Sequence, residues 1–205
     1  MNNSACSIRH SNLTFTRSLN QAAENTTIEN GKLTLRSGPR CDNFRDPDGK
    51  LSNDSAPILL AEIDNRRPFT LTARVTPTFK DMYDAGTLFV YANEDLWFKL
   101  AMEMDERRKT RMVTVRTIGT SDDNDHDVIT ERSVIMKISS DTRTIGFYYS
   151  LDGRDWQLIR LFKNDYPAAL WVGLSSQSPL GNGNTVLFEE ISLTPTSITN
   201  FRLGL

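Results

Sequence analysis

The amino-acid sequence predicts an all-β chain built from antiparallel sheets. Three observations lead there. Short runs rich in β-branched and aromatic residues recur along the chain, broken by Gly, Pro, Asn and Asp. Several of these runs alternate apolar with polar residues, the period-two pattern of a strand buried on one side. No stretch sustains the 3.6-residue apolar period of an amphipathic helix.

Taken in order, residues 28–35 hold Asn30-Gly31 between apolar residues, the turn pair that a tight hairpin prefers. Residues 58–63 are a short apolar run. Phe69, Leu71, Ala73 and Val75 then alternate with Thr70, Thr72 and Arg74. Further strands are predicted over residues 86–91, 96–104, 111–118, 128–136, 144–151, 156–162, 169–174 and 185–193. This makes roughly ten to twelve strands, mostly at hairpin spacing, and such meanders close into a sandwich or a barrel.

The chain has 205 residues, with 24 Lys and Arg against 26 Asp and Glu, a formal net charge of −2. That balance argues against a nucleic-acid partner, which needs a basic surplus on one face. No apolar run approaches the roughly 18 residues of a membrane-spanning helix, so no membrane partner is expected. With 38% hydrophobic residues there is material for a core. No linker rich in Gly, Ser or Pro divides the sequence. One domain over residues 13–194 is expected, with tails at 1–12 and 195–205. Ile198, Phe201 and Leu203 could dock the second tail on the body.

The first ten residues, MNNSACSIRH, lack a basic segment followed by an apolar one, so a cytoplasmic chain is expected. Cys6 and Cys41 then read as two free thiols, a single disulfide being the alternative. They share no CxxC pair, and the histidines are His10 and His126 alone, so no zinc site and no cofactor are predicted. Asp123, Asp125 and Asp127 could begin a calcium shell, but Val128 and Val134 stand where an EF-hand loop has its glycine and closing glutamate. The segment SDDNDHD (121–127) therefore reads as a solvated hairpin tip. Residues 37–57, with Asp46-Pro47-Asp48-Gly49, read as a long functional loop, and 179–184 as a glycine turn.

Four phrases fall in an order and spacing that resemble a known family: CDNFRDPDG (41–49), MYDAGTLFVYANEDLWFKLAMEMD (82–105), YYSLDGRDW (148–156) and VGLSSQSPLGNGNTVLFEEISL (172–193). It is a family of small bacterial and fungal proteins with the concanavalin A-like lectin/glucanase fold, and it includes the yeast protein named for regulation of enolase. The resemblance covers residues 13–194. It implies a jelly-roll β-sandwich of two antiparallel sheets, one of them concave, and no established reaction. Tyr83-Asp84-Ala85-Gly86 lacks the Gln the family carries there, and Ser121-Asp122-Asp123 lacks its aromatic residue.

The strand over 96–104 is the most informative. Phe98, Leu100, Met102 and Met104 fall on one face, and Trp97, Lys99, Ala101 and Glu103 on the other. An aromatic, a cation and a carboxylate together suit a sugar, whose face stacks on a ring while charged groups bind its hydroxyls. The alternative is a solvated face with one exposed Trp. If Val113 and Phe147 point into the core, Arg116 and Tyr148 join the polar face. Asp42, Phe44 and Arg45 lie in the long loop that could cover one end. The predicted ligand-binding set is Arg45, Asp84, Trp97, Lys99, Glu103, Arg116 and Tyr148, with a salt bridge between Arg45 and Asp84 as the structural alternative for that pair.

A glycosidase needs two carboxyl groups about 5 Å apart, or about 6.5–9.5 Å apart for an inverting enzyme. Glu62-Ile63-Asp64 and Glu103-Met104-Asp105 both lack the further Glu of the fold's glucanases. The sequence therefore favours a non-catalytic binding or regulatory module. By the resemblance, its partner would be a sugar-like ligand or a metabolic enzyme such as enolase. The alternative is a carbohydrate-active enzyme, hydrolase or epimerase-like, using Glu103 with Lys99.

Overall fold

The computed structural model describes residues 2–205. Among them lie seventeen strands: β1 (Asn3–His10), β2 (Leu13–Leu19), β3 (Thr26–Glu29), β4 (Lys32–Arg36), β5 (Asn43–Arg45), β6 (Ser52–Asp54), β7 (Ile58–Asp64), β8 (Phe69–Pro77), β9 (Ala85–Asn93), β10 (Leu96–Met104), β11 (Thr110–Ile118), β12 (Thr120–Val128), β13 (Val134–Ser140), β14 (Thr144–Ser150), β15 (Gln157–Lys163), β16 (Ala169–Gln177) and β17 (Thr185–Thr194). One sheet has eight strands in the order β1-β2-β7-β16-β9-β10-β11-β12, and the other has seven in the order β15-β14-β13-β8-β17-β4-β3. Their strand pairs are antiparallel. The all-β jelly-roll sandwich is borne out, and no helix of the described residues is long and apolar enough to cross a membrane.

The alternating pattern explains the layers. Phe98, Leu100 and Met102 of β10 meet Leu71 and Val75 of β8 and Met136 and Ile138 of β13 in the core between the sheets. Asn30 and Gly31, with φ of 50° and 73°, form the predicted turn between β3 and β4.

Several expectations need correction. Residues 3–10, expected as a tail, form the edge strand β1 paired to β2. Residues 121–127, expected as a hairpin tip, lie within the edge strand β12 paired to β11, and the turn sits at Gly119, with φ of 75°. Charged side chains are tolerated there because an edge strand keeps one flank in water, and they discourage further pairing. The strand predicted over 128–136 starts later, at Val134. The long loop contains the two-stranded ribbon β5-β6. Residues after 194 dock on the outer face of the smaller sheet. There Tyr148 Oη donates to the Phe201 carbonyl at 2.7 Å and Lys137 Nζ to that of Gly204 at 2.8 Å.

Candidate functional site

The outer face of the eight-stranded sheet is only partly solvated. Leu60, Phe89, Tyr91, Trp97, Val113 and Val115 make a second apolar cluster there, against which Phe44 of β5 packs. Residues 41–56 are fastened over this face. Cys41 and Ser178 exchange both backbone hydrogen bonds. The Arg45 amide donates to Ser121 Oγ at 2.9 Å, and Asn20 Nδ2 donates to the carbonyls of Asp54 and Ala56 at 2.8 Å each.

Between this cover and the sheet lies a cavity of about 600 Å³, within the usual range of small-ligand sites. Its apolar wall comprises Phe44, Leu51, Tyr83, Val115, Pro179 and Leu180, and its acidic wall Asp42, Glu103, Asp105, Glu106, Asp123 and Asp125. Lys99 is the cation among the lining residues.

Lys99 is 3% exposed. Its ammonium donates to the Asn43 carbonyl at 2.9 Å, to Gln177 Oε1 at 2.9 Å and to Asp42 Oδ1 at 3.4 Å. Three acceptors use its three hydrogens. Glu103 lies four residues along the same strand and face, half-buried. Burial pushes its carboxyl up to about 8; Asp123, Asp42 and Asp125 push the same way, against the pull of Lys99. Burial also raises the Asp123 carboxyl, opposed by Lys99 and reinforced by Asp125. The Tyr83 phenol is raised by burial and then by Glu106, Glu103, Asp125 and Asp105. Burial alone would raise Asp105 too, but Arg111 Nε at 2.6 Å and the amides of Lys109 and Arg107 hold it below the usual carboxylate range. Among the described residues, no group of three or more His, Cys, Asp or Glu is placed to hold a metal ion.

Of the predicted set, the structure brings Lys99 and Glu103 together on the cavity wall. The other five lie elsewhere. Trp97 is on the expected face but 1% exposed, packed beside Phe89 at 5.8 Å between ring centroids, and does not line the cavity. Arg45 pairs with Asp95 at 2.5 Å rather than with Asp84. Asp84 is fully buried and accepts from the amides of Lys80 and Asp81 and from Ser178 Oγ at 2.6 Å, so it pins a turn. Arg116 is on the opposite face of β11. It pairs in register with core-facing Phe98, and its guanidinium bonds Tyr166 Oη at 2.6 Å and lies over the rings of Phe98, Phe162 and Tyr166. The reason is parity: Val113 and Val115 face outward with Lys99, which sends Arg116 inward. Tyr148 belongs to the other sheet, under the C-terminal segment.

Asp123 and Asp125 escaped the sequence reading because a run of acids looked like a loop. Their spacing of two is strand spacing and was the available signal. Tyr83 reaches the cavity from a left-handed backbone position, φ 66°, which sequence does not announce.

The chain is 26% identical over 167 residues to Regulation of enolase protein 1 of Saccharomyces cerevisiae, covering 81% of this chain and 83% of that protein. A crystal structure of a functionally unknown S. cerevisiae protein matches with a TM-score of 0.78 and 26% identity over 87% of this chain and 95% of that one. A Bacteroides ovatus chain described as xyloglucan PUL GH43B matches with a TM-score of 0.69 and 16% identity, over 94% of this chain but 39% of its own length. The alginate lyase from Klebsiella pneumoniae matches with a TM-score of 0.57 and 9% identity, over 83% of this chain and 84% of that one. These last two likenesses are of fold alone. The family model described as protein of unknown function DUF1349 matches residues 19–196, and the chain belongs to that family.

Proposed function

We propose that the chain is a non-catalytic binding module that captures a small sugar-like ligand in the covered cavity and acts in the regulation of a metabolic enzyme. The observation that carries this is the cavity itself: about 600 Å³, lined by the carboxyl groups of Glu103 and Asp123 and by the rings of Phe44 and Tyr83. Carboxyl groups accept from hydroxyls while the rings cover an apolar sugar face. Lys99 holds the floor together and has no hydrogen left to donate. The name of the yeast relative supports a regulatory output with enolase as the first enzyme to try. The test is a thermal-shift screen against neutral and amino sugars, sugar phosphates and glycolytic intermediates, since a ligand that binds only the folded state raises its melting point. A ligand that stabilises the wild type but not Glu103→Ala is the expected result. Silence across the panel, with the variant folded, would count against the module.

A second reading, a carbohydrate-active enzyme of hydrolase or epimerase type using Glu103 with Lys99, is favoured by one observation. A carboxyl raised to about 8 keeps its proton at neutral pH, as a general acid must. Turnover of aryl glycosides that disappears in Glu103→Gln would establish it.

A further inference from the structure

Resting on the reading of the cavity as a ligand site, we infer that its ligand is a small hydroxylated amine of the amino-sugar class, held by its ammonium group against Asp123 and Asp125. The charge count is the first argument. Six acidic residues line the cavity against one lysine, and that lysine's hydrogens are all taken. The neighbouring guanidinium of Arg111 is held by Asp105 at 2.6 Å and the His126 carbonyl at 2.9 Å. Of the six acids, Asp42 is paired to Lys99 and Asp105 to Arg111, and burial keeps the proton on Glu103 at neutral pH. Asp123 makes no ion pair among the described residues and Asp125 only a 4.0 Å contact with Arg111, so these two are the acids left to meet a cation. Such a cavity repels a phosphorylated or carboxylated ligand and rewards a cation. The aromatic rings of Phe44 and Tyr83 on its wall add a surface that an ammonium group also favours.

Size sets the second limit. At about 600 Å³ the cavity takes a monosaccharide, so an amino group carried on one small hydroxylated ring meets both the charge and the volume.

The experiment is calorimetric titration of the full chain at low ionic strength with glucosamine, glucose, N-acetylglucosamine and glucose 6-phosphate. It is repeated on Asp123→Asn/Asp125→Asn, which lie on the edge strand β12 outside both apolar clusters, so that folding is retained. Glucosamine is expected to bind about tenfold or more tightly than glucose or N-acetylglucosamine, the scale of one charge-assisted contact. Glucose 6-phosphate is expected not to bind, and the double variant to lose the preference. Equal affinity for glucose and glucosamine would overturn the amine assignment and leave the sugar-binding reading standing. So would a preference for glucosamine that survives in the double variant. Tighter binding of glucose 6-phosphate would also overturn it. Absence of any binding would overturn both.

Discussion

The ammonium of Lys99 donates to the carboxamide oxygen of Gln177 at 2.9 Å, joining β10 to the end of β16 across the intervening β9. The same ammonium also holds the backbone of Asn43 in the covering segment. One buried cation thus fastens the cover to the sheet and shapes the cavity floor, so its role is positioning rather than ligand contact.

Replacing Lys99 by Met should therefore destabilise the fold by about 3 kcal/mol or more, because Asp42 and two buried oxygens lose their shared donor. Urea unfolding measures this. Protease cleavage within residues 41–56 should also accelerate, since that segment loses an anchor. A variant as stable as the wild type would show that the cover is held elsewhere.

Asp84→Ala should cost about 2 kcal/mol, leaving the amides of Lys80 and Asp81 and the Ser178 hydroxyl without their acceptor. Ligand affinity should hardly change, because the carboxyl does not line the cavity. A large loss of affinity in a normally folded variant would return Asp84 to the site.

The proton on Glu103 gives stability a pH slope. Its folded value is raised from 4.5 to about 8. Between those values the unfolded chain has released the proton and the folded chain still holds it, so this group makes stability fall as pH rises across that window. The slope is set by burial and by Asp123, Asp42 and Asp125, moderated by Lys99; Tyr83 faces the same acids. Glu103→Gln removes the slope. The variant should gain stability relative to the wild type on going from pH 5 to pH 8, read from paired urea midpoints. A constant difference between the two would mean that Glu103 titrates as an ordinary surface carboxylate.

Gly204 sits at φ 71° against Trp156 and Tyr148, and an added Cβ would lie 2.8 Å from the Trp156 Cβ. Gly204→Ala should therefore loosen the C-terminal segment, at a cost of about 1–2 kcal/mol from the left-handed backbone alone. Faster amide exchange at Phe201 and Leu205, with the sandwich core unchanged, is the expected signature.

Much of the architecture was legible in the sequence because strand burial writes itself as a two-residue period. The division of β10 into Phe98, Leu100 and Met102 on one side and Trp97, Lys99, Ala101 and Glu103 on the other holds in the structure. Where polar residues filled both faces, as in β12, or where a short strand lacked apolar content, as in β5 and β6, that period carried no message. Arg116 failed for a related reason: alternation says that two residues oppose each other but not which of the two faces the core, and the choice made was the wrong one. For Tyr148 the parity held, with Phe147 in the core, but β14 lies in the other sheet, which no local pattern announces.

By itself, the sequence determined the all-β sandwich, the hairpin at Asn30-Gly31 and the shared face of Lys99 and Glu103, since each depends on neighbours a few residues apart. Only the tertiary structure decided that Trp97 is buried filling, that Lys99 is saturated by Asn43 and Gln177, and that Asp123 and Asp125 complete an acidic wall. Those outcomes depend on groups brought together from distant parts of the chain. Long-range strand order and the folding-over of residues 41–56 set them, and neither leaves a local periodicity to read.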